Sequence, residues 1–236
     1  METFRFKKFS VSHQNSFKIG TDAVLLGALT PITTELKHAL DIGTGSGVIA
    51  LMLLQRGISS VVGIETDPAA ASEAAENVKN SIWSKQIQIL CADFCDISVI
   101  HPLGAFDLIV SNPPFFSNSL KSHDNIRNAS RHSDKTLPFD ILIKNASILL
   151  SEKGLFCVIL PVLEAEIFEK KAASFNLFPK EIHHIFSKPH KPESRRILMM
   201  RKQSFPQPYI KKTICIYNED ESYSQEYKQL TNEFYL

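Results

Sequence analysis

The chain lacks the features of a membrane or secreted protein. No apolar run approaches the ~18 residues of a spanning helix, and no signal-peptide pattern is present, so a cytoplasmic protein is expected. Cysteine is scarce. Cys91, Cys95, Cys157 and Cys215 are the four present, and no two stand in CxxC spacing. No metal is expected, and the thiols read as buried and reduced. Excess charge is missing as well: 26 Lys and Arg against 25 Asp and Glu leave a net charge of +1. No global positive field therefore points to nucleic acid, although a local basic patch is not excluded. There is no internal repeat and no low-complexity segment. What remains is ordinary globular material, 44% hydrophobic and 22% charged over 236 residues, enough for one large domain.

From residue 38 onward, strand-like and helix-like stretches alternate. Short apolar runs at His38–Asp41, Val61–Glu65, Ile87–Cys91, Phe106–Ser111 and Leu155–Leu160 read as strands. Val48–Gln55, Pro68–Asn80, Phe139–Leu149 and Glu164–Phe175 read as helices, with Pro68 suited to a first helical position. This order predicts a parallel sheet with helices on both faces, and ligands at the carboxyl ends of its strands. Beyond Phe175 the pattern changes. Phe178–Phe186 and Arg195–Lys202 read as an antiparallel pair at the sheet edge, with one more strand near Thr213–Tyr217. Before the sheet, Phe4–Val11 reads as a strand or hairpin and Thr21–Leu29 as a helix.

Chemistry-bearing residues gather at the strand ends. Asp41-Ile-Gly43-Thr44-Gly45-Ser-Gly47 is a glycine-rich turn between a strand and a helix, able to bring backbone N–H groups close to a ligand. Alone, such a turn accommodates NAD, a flavin or S-adenosylmethionine. The spacing here is GxGxG rather than GxGxxG, and an acid leads it. A carboxylate is a poor neighbour for a pyrophosphate and a good one for the ammonium of a methionine moiety. Glu65, with Thr66 beside it, ends the next strand, where an acid can take both ribose hydroxyls. Asp93 follows the third strand, placed to accept from an adenine amino group, and Phe94 is placed to pack on the ring. Together these favour S-adenosyl-L-methionine.

Asn112-Pro113-Pro114-Phe115 follows the fourth strand. Two prolines stiffen the backbone and remove two donors, leaving carbonyls as acceptors. Asn112 adds a side-chain carbonyl. Convergent acceptors suit an –NH₂ group, and Phe115 offers a flat face for a ring. The pattern therefore points to methylation of a planar amine, and the loop alone does not choose between adenine and glutamine.

These motifs resemble the class I methyltransferases, in particular those with an Asn-Pro-Pro-aromatic loop. The resemblance implies a seven-stranded, mostly parallel, Rossmann-like sheet with helices on both faces and an antiparallel last strand. More closely, Phe17–Leu26, the Asp41 turn, Asn112–Phe116, Arg127–His132 and the terminal Leu230–Leu236 are similar to the bacterial tRNA1(Val) adenine-37 N6-methyltransferase family. That resemblance implies a single domain over 1–236. Residues 1–37 close over the cofactor, 38–202 form the catalytic core and 203–236 extend it. It further implies that Thr21-Asp22-Ala23 covers the methionine end of the cofactor and that the substrate is an anticodon-loop adenine.

Two basic regions are candidates for holding RNA. Ser117–Thr136 carries Arg127, Arg131 and His132, and Lys180–Lys212 carries Arg195 and Arg196 after a Pro-rich turn. Lys18 joins them as a candidate substrate contact. No protein partner is evident. Two rival enzymes share the amine chemistry. A glutamine methyltransferase would need a substrate-binding domain for which about 40 residues before the glycine turn leave no room, and a DNA adenine methyltransferase would need a target-recognition insert. A non-catalytic cofactor- or RNA-binding module would require these motifs to be relics.

Overall fold

The computed structural model describes residues 3–16, 19–114 and 137–235. A small antiparallel hairpin of β1 (Thr3–Arg5) and β2 (Ser10–Ser12) precedes helix α1 (Thr21–Leu29). The alternating region follows as β3 (His38–Ile42), α2 (Val48–Gln55), β4 (Ser60–Glu65), α3 (Pro68–Lys79) and β5 (Ile87–Cys91). A short α4 (Ile97–Ile100) leads to β6 (Phe106–Ser111). Then come α5 (Phe139–Leu149), β7 (Leu150–Pro161), α6 (Val162–Ala173), β8 (Leu177–Phe186), β9 (Glu193–Lys202), β10 (Ile210–Cys215) and α7 (Gln225–Thr231).

Local chemistry accounts for the elements that carry the site. Helix α3 opens on Asp67, whose carboxylate accepts from the amides of Ala69 and Ala70, both at 2.9 Å, with Pro68 at its first position. Helix α2, Val-Ile-Ala-Leu-Met-Leu-Leu-Gln, is buried from Val48 to Leu54, so it lies inside the protein rather than on its surface.

The main sheet has eight strands in the order β10-β8-β9-β7-β6-β3-β4-β5. Strands β3 to β7 run parallel, and β9 is antiparallel to both β7 and β8. The expected seven-stranded core is therefore present, with its last strand antiparallel, and an eighth strand is added. Two expectations are corrected. The antiparallel pair is not the sheet edge, because β9 is inserted between β7 and β8. The edge is β10, parallel to β8 and spanning Ile210–Cys215 rather than Thr213–Tyr217. The reason lies in the side chains. Ile197–Met200 of β9 are wholly buried, as an interior strand covered on both faces requires. β10 presents Lys211 and Lys212 on an exposed edge, where lysines discourage further pairing.

Alternation along the strands divides the core in two. Leu155, Cys157 and Ile159 of β7 and Ile197 and Met199 of β9 pack with α1, α2 and α7. Phe156, Val158 and Leu160, with Leu198 and Met200, pack with α5 and α6. Cys157 is buried, and burial pushes its thiol up to about 12. Cys91 and Cys95 are exposed at the end of β5 and just beyond it, which corrects the expectation of buried thiols there.

Candidate active site

Register places the two key loops side by side. Ile42 of β3 pairs with Ser111 of β6, and the Ser111 hydroxyl donates to the Ile42 carbonyl at 3.0 Å. The glycine turn and Asn112-Pro113-Pro114 therefore leave adjacent strands, ~4.8 Å apart, at the same rim. Asn112 is half-buried, Pro113 buried and Pro114 exposed. Among the described residues the Asn112 amide takes no side-chain hydrogen bond, which leaves its carbonyl available to a ligand. Phe115 lies outside the described residues, as do Lys18, Arg127, Arg131 and His132.

The turn itself needs its glycines. Gly43, Gly45 and Gly47 have φ of 70°, 53° and 81°, a region that side chains disfavour. A Cβ at Gly43 would meet nothing within 4 Å, so the space over the turn is open. Asp41 is fully buried beneath it. Its Oδ2 accepts from the Thr44 hydroxyl at 2.7 Å, while Oδ1 has no well-formed hydrogen bond. Burial raises the Asp41 carboxyl to about 7. The Thr44 hydroxyl and the Ala50 amide moderate that rise, and the Glu65 carboxylate adds to it. A buried carboxylate with an orphaned oxygen under an open, N–H-rich turn fits a cationic amine, which the methionine end of S-adenosylmethionine carries.

Glu65 is half-buried at the end of β4. Its Oε2 accepts from Gly45 N at 2.9 Å and its Oε1 from Asp67 N at 3.0 Å, so it braces the turn and retains lone pairs for a diol. Thr66 beside it is exposed. Asp93 is exposed after β5, with Oδ1 accepting from Cys95 N at 2.8 Å. Phe94 departs from expectation. Its ring is 4% exposed and belongs to the core beneath α5, so it backs the site instead of offering an open face. The Asn145 amide of α5 donates to the Phe94 carbonyl at 2.7 Å and fastens this loop.

The residues of α1 and β9 meet each other. Thr21 and Asp22 are half-buried in the first turn of α1, and Ala23 is buried. Asp22 Oδ2 accepts from Arg195 Nε at 2.8 Å. Arg196 makes a two-pronged bridge to Glu193, at 2.9 and 3.0 Å, and reaches Glu166 at 3.3 Å. The hydrogen bonds to Glu193 raise its pKa further. Both arginines are thus engaged by carboxylates of the protein itself. Their cationic heads join β9 to α1 and α6.

Two residues not singled out from the sequence fasten the segment beside the glycine turn. Glu73 and Asn77 lie four residues apart on the buried face of α3, among Ala70, Ala71, Ala74 and Val78. Glu73 accepts from the amides of Gln14, Asn15 and Ser16 and from the Ser16 hydroxyl. Asn77 bonds both the amide and the carbonyl of Ser12, and also the carbonyl of Ser46 in the glycine turn. A polar pair at helical spacing inside an alanine-rich stripe was the available signal.

Residues 8–160 match the model of the methyltransferase small domain. The chain is 41% identical to a Bacteroides fragilis protein named tRNA1(Val) (adenine(37)-N6)-methyltransferase, across 99% of this chain and 97% of that one. It is 38% identical to a protein of the same name from Yersinia pestis, covering 99% and 93%. The chain belongs to this methyltransferase family. The fold agrees with that placement. A predicted O-methyltransferase from Agrobacterium tumefaciens superposes with a TM-score of 0.71 at 20% identity, over 90% of this chain and 96% of that one. The T. Thermophilus 16S rRNA N2 G1207 methyltransferase, solved with AdoMet and guanosine, gives 0.57 at 19% identity, over 86% and 50%. Like its family, the chain is an S-adenosylmethionine-dependent methyltransferase, and the buried Asp41 and the open glycine turn are suited to that cofactor. Among the described residues no His, Cys, Asp or Glu cluster could hold a metal ion, and no helix is long and apolar enough to cross a membrane.

Proposed function

We propose that this chain methylates the N6 amino group of adenine 37 in the anticodon loop of a valine tRNA. The near full-length relatives bear the name of that reaction. The observation that carries the reading to this chain is the position of Asn112-Pro113-Pro114, one strand from the glycine turn and tied to it through Ser111. The bound cofactor supplies an electrophilic methyl group on sulfur. The protein's task is to present a weak nucleophile. An exocyclic amine shares its lone pair with the purine ring. When the Asn112 side-chain carbonyl and the Pro113 carbonyl accept its two N–H groups, the nitrogen is favoured in a pyramidal form and the lone pair becomes available for in-line attack. The N–C bond forms as the S–C bond breaks, and the nitrogen then loses a proton to solvent. No group with a tuned pKa is needed before attack. In this reading Phe115 stacks on the adenine, and Lys18, Arg127, Arg131 and His132 contact RNA. Anticodon-loop bases are single-stranded, so extruding one onto an aromatic face costs less than from a duplex. In this reading the enzyme works on tRNA in the cytoplasm.

The test uses tRNA from cells lacking the modification, labelled S-adenosylmethionine and nucleoside mass spectrometry. N6-methyladenosine should appear with the unaltered protein. Asn112→Ala should lower kcat by about 10²–10³ while cofactor affinity stays within a few-fold. Label found in protein instead would transfer the assignment to glutamine, and an unchanged rate in Asn112→Ala would remove the loop from the mechanism.

A further inference from the structure

The carboxylate of Glu73 faces three consecutive backbone amides, those of Gln14 at 2.6 Å, Asn15 at 2.9 Å and Ser16 at 3.2 Å, and the Ser16 hydroxyl at 2.6 Å. Successive N–H groups converging on one anion form a nest, a geometry that holds a backbone in a single conformation. Glu73 is 8% exposed. Burial alone would raise its pKa, yet the four hydrogen bonds hold it below the usual carboxylate value. One turn on, Asn77 bonds the Ser12 amide and carbonyl, at 2.9 Å each, and the Ser46 carbonyl at 2.9 Å. The segment 12–16 is thereby drawn against the glycine turn. A Cβ placed on Gly45 would lie 3.9 Å from that of Ser16.

The bonds run as a chain beside the glycine turn. Gly45 donates to Glu65, Glu65 accepts from Asp67, Asp67 caps α3, α3 presents Glu73, and Glu73 holds Ser16 next to Gly45. Nothing in the proposed transfer chemistry uses Glu73. Among the described residues its hydrogen bonds go to the segment preceding α1.

We propose that Glu73 is a positioning residue for cofactor binding, holding residues 14–16 as a preformed wall beside the glycine turn. The inference rests on the reading of that turn as the seat of S-adenosylmethionine. The physical effect is preorganisation. With the wall already ordered, binding does not bear the entropy of ordering it. Without the anion the three amides lose their common acceptor, the segment must be ordered at the moment of binding, and affinity falls. Once the cofactor is bound the wall is back in place, so turnover at saturation is retained.

The experiment measures S-adenosylmethionine binding by calorimetry alongside steady-state kinetics and thermal melts. Glu73→Gln should raise the cofactor Kd and KM by about tenfold or more, with kcat within about two-fold and the tRNA KM unchanged. Ser16→Ala removes one bond from the segment side, leaves α3 intact and should raise the cofactor Kd by about three-fold without lowering Tm. That second variant decides the matter if Glu73→Gln does not fold. An unchanged cofactor Kd in a folded Glu73→Gln or in Ser16→Ala overturns the inference. So does a parallel loss of kcat, tRNA binding and cofactor binding, the mark of a general structural role. If the unaltered protein binds no S-adenosylmethionine, the seat itself is wrong and the inference falls with it.

Discussion

At the scale of single residues, Asp41 is a carboxyl group wholly buried under the glycine turn. Its carboxyl titrates near 7 because it is buried, and in the unfolded chain it would titrate near 3.8. The folded state therefore binds the proton more tightly. This contribution to stability is fully present below pH 3.8 and is lost as pH rises through about 7. The cofactor-free protein should lose Tm between those limits, and Asp41→Asn should flatten that part of the profile, as melts at several pH values will show. A cationic amine brought to Oδ1 reverses the preference and expels the proton. Binding of S-adenosylmethionine near pH 6.5 should thus release up to about one proton, read from calorimetry in buffers of different ionisation enthalpy. A slope of zero would separate Asp41 from the amine. The acid at the head of the glycine turn was legible in the sequence. Its complete burial was not, because that depends on Thr44 and α2 folding over it.

At the scale of elements, the carboxyl rim of the sheet carries the chemistry, and the β8–β9 turn stands on that rim. Residues 187–192 include Lys188, His190 and Lys191. Lys188 pairs with Glu221, at 2.9 Å, whose side chain is 82% exposed. Such a pair is weak and readily exchanged for a phosphate. The turn is three strands from β6, ~14 Å across the sheet, within reach of an anticodon loop whose target base would lie at Asn112 in the proposed function. The double variant Lys188→Ala/Lys191→Ala should raise the tRNA KM about three- to ten-fold and reduce the salt slope of binding by up to about two, leaving cofactor affinity alone. Lys79→Ala, at the opposite end of α3, should do neither. The basic character of this stretch was readable from the sequence. The pairing of Arg195 with Asp22 and of Arg196 with Glu166 was not, because those acids are distant in the chain and meet β9 only once it has packed, whereas Glu193 stands three residues from Arg196. The role of Glu73 is hidden from the sequence for a similar reason. An acid in a helix reads as a solvated face until the segment folded against it is known.

At the scale of the whole molecule, most of the sheet was foreseeable. Each of β3 to β7 is a short apolar run followed by a helix, and such units have one handedness and one way to pack. The position of β9 does not follow from local pattern. Its apolar run, Ile197–Met200, indicates burial on both faces but does not name its neighbours. This insertion has a consequence for synthesis. β8 leaves the ribosome before β9, yet β9 separates it from β7, so β8 has no partner in the sheet until residue 202 has emerged. The first five parallel strands can assemble as they are made, whereas the last third of the sheet must close in one late step. Pulse-labelled hydrogen exchange during refolding should show the amides of β8 and β9 gaining protection together, after those of β3, β4 and β6. A nascent chain stopped at residue 190 should leave β8 open to protease. For this enzyme the ten residues of β9 decide when the molecule becomes resistant to degradation, and the interval before they appear is when it most needs a chaperone.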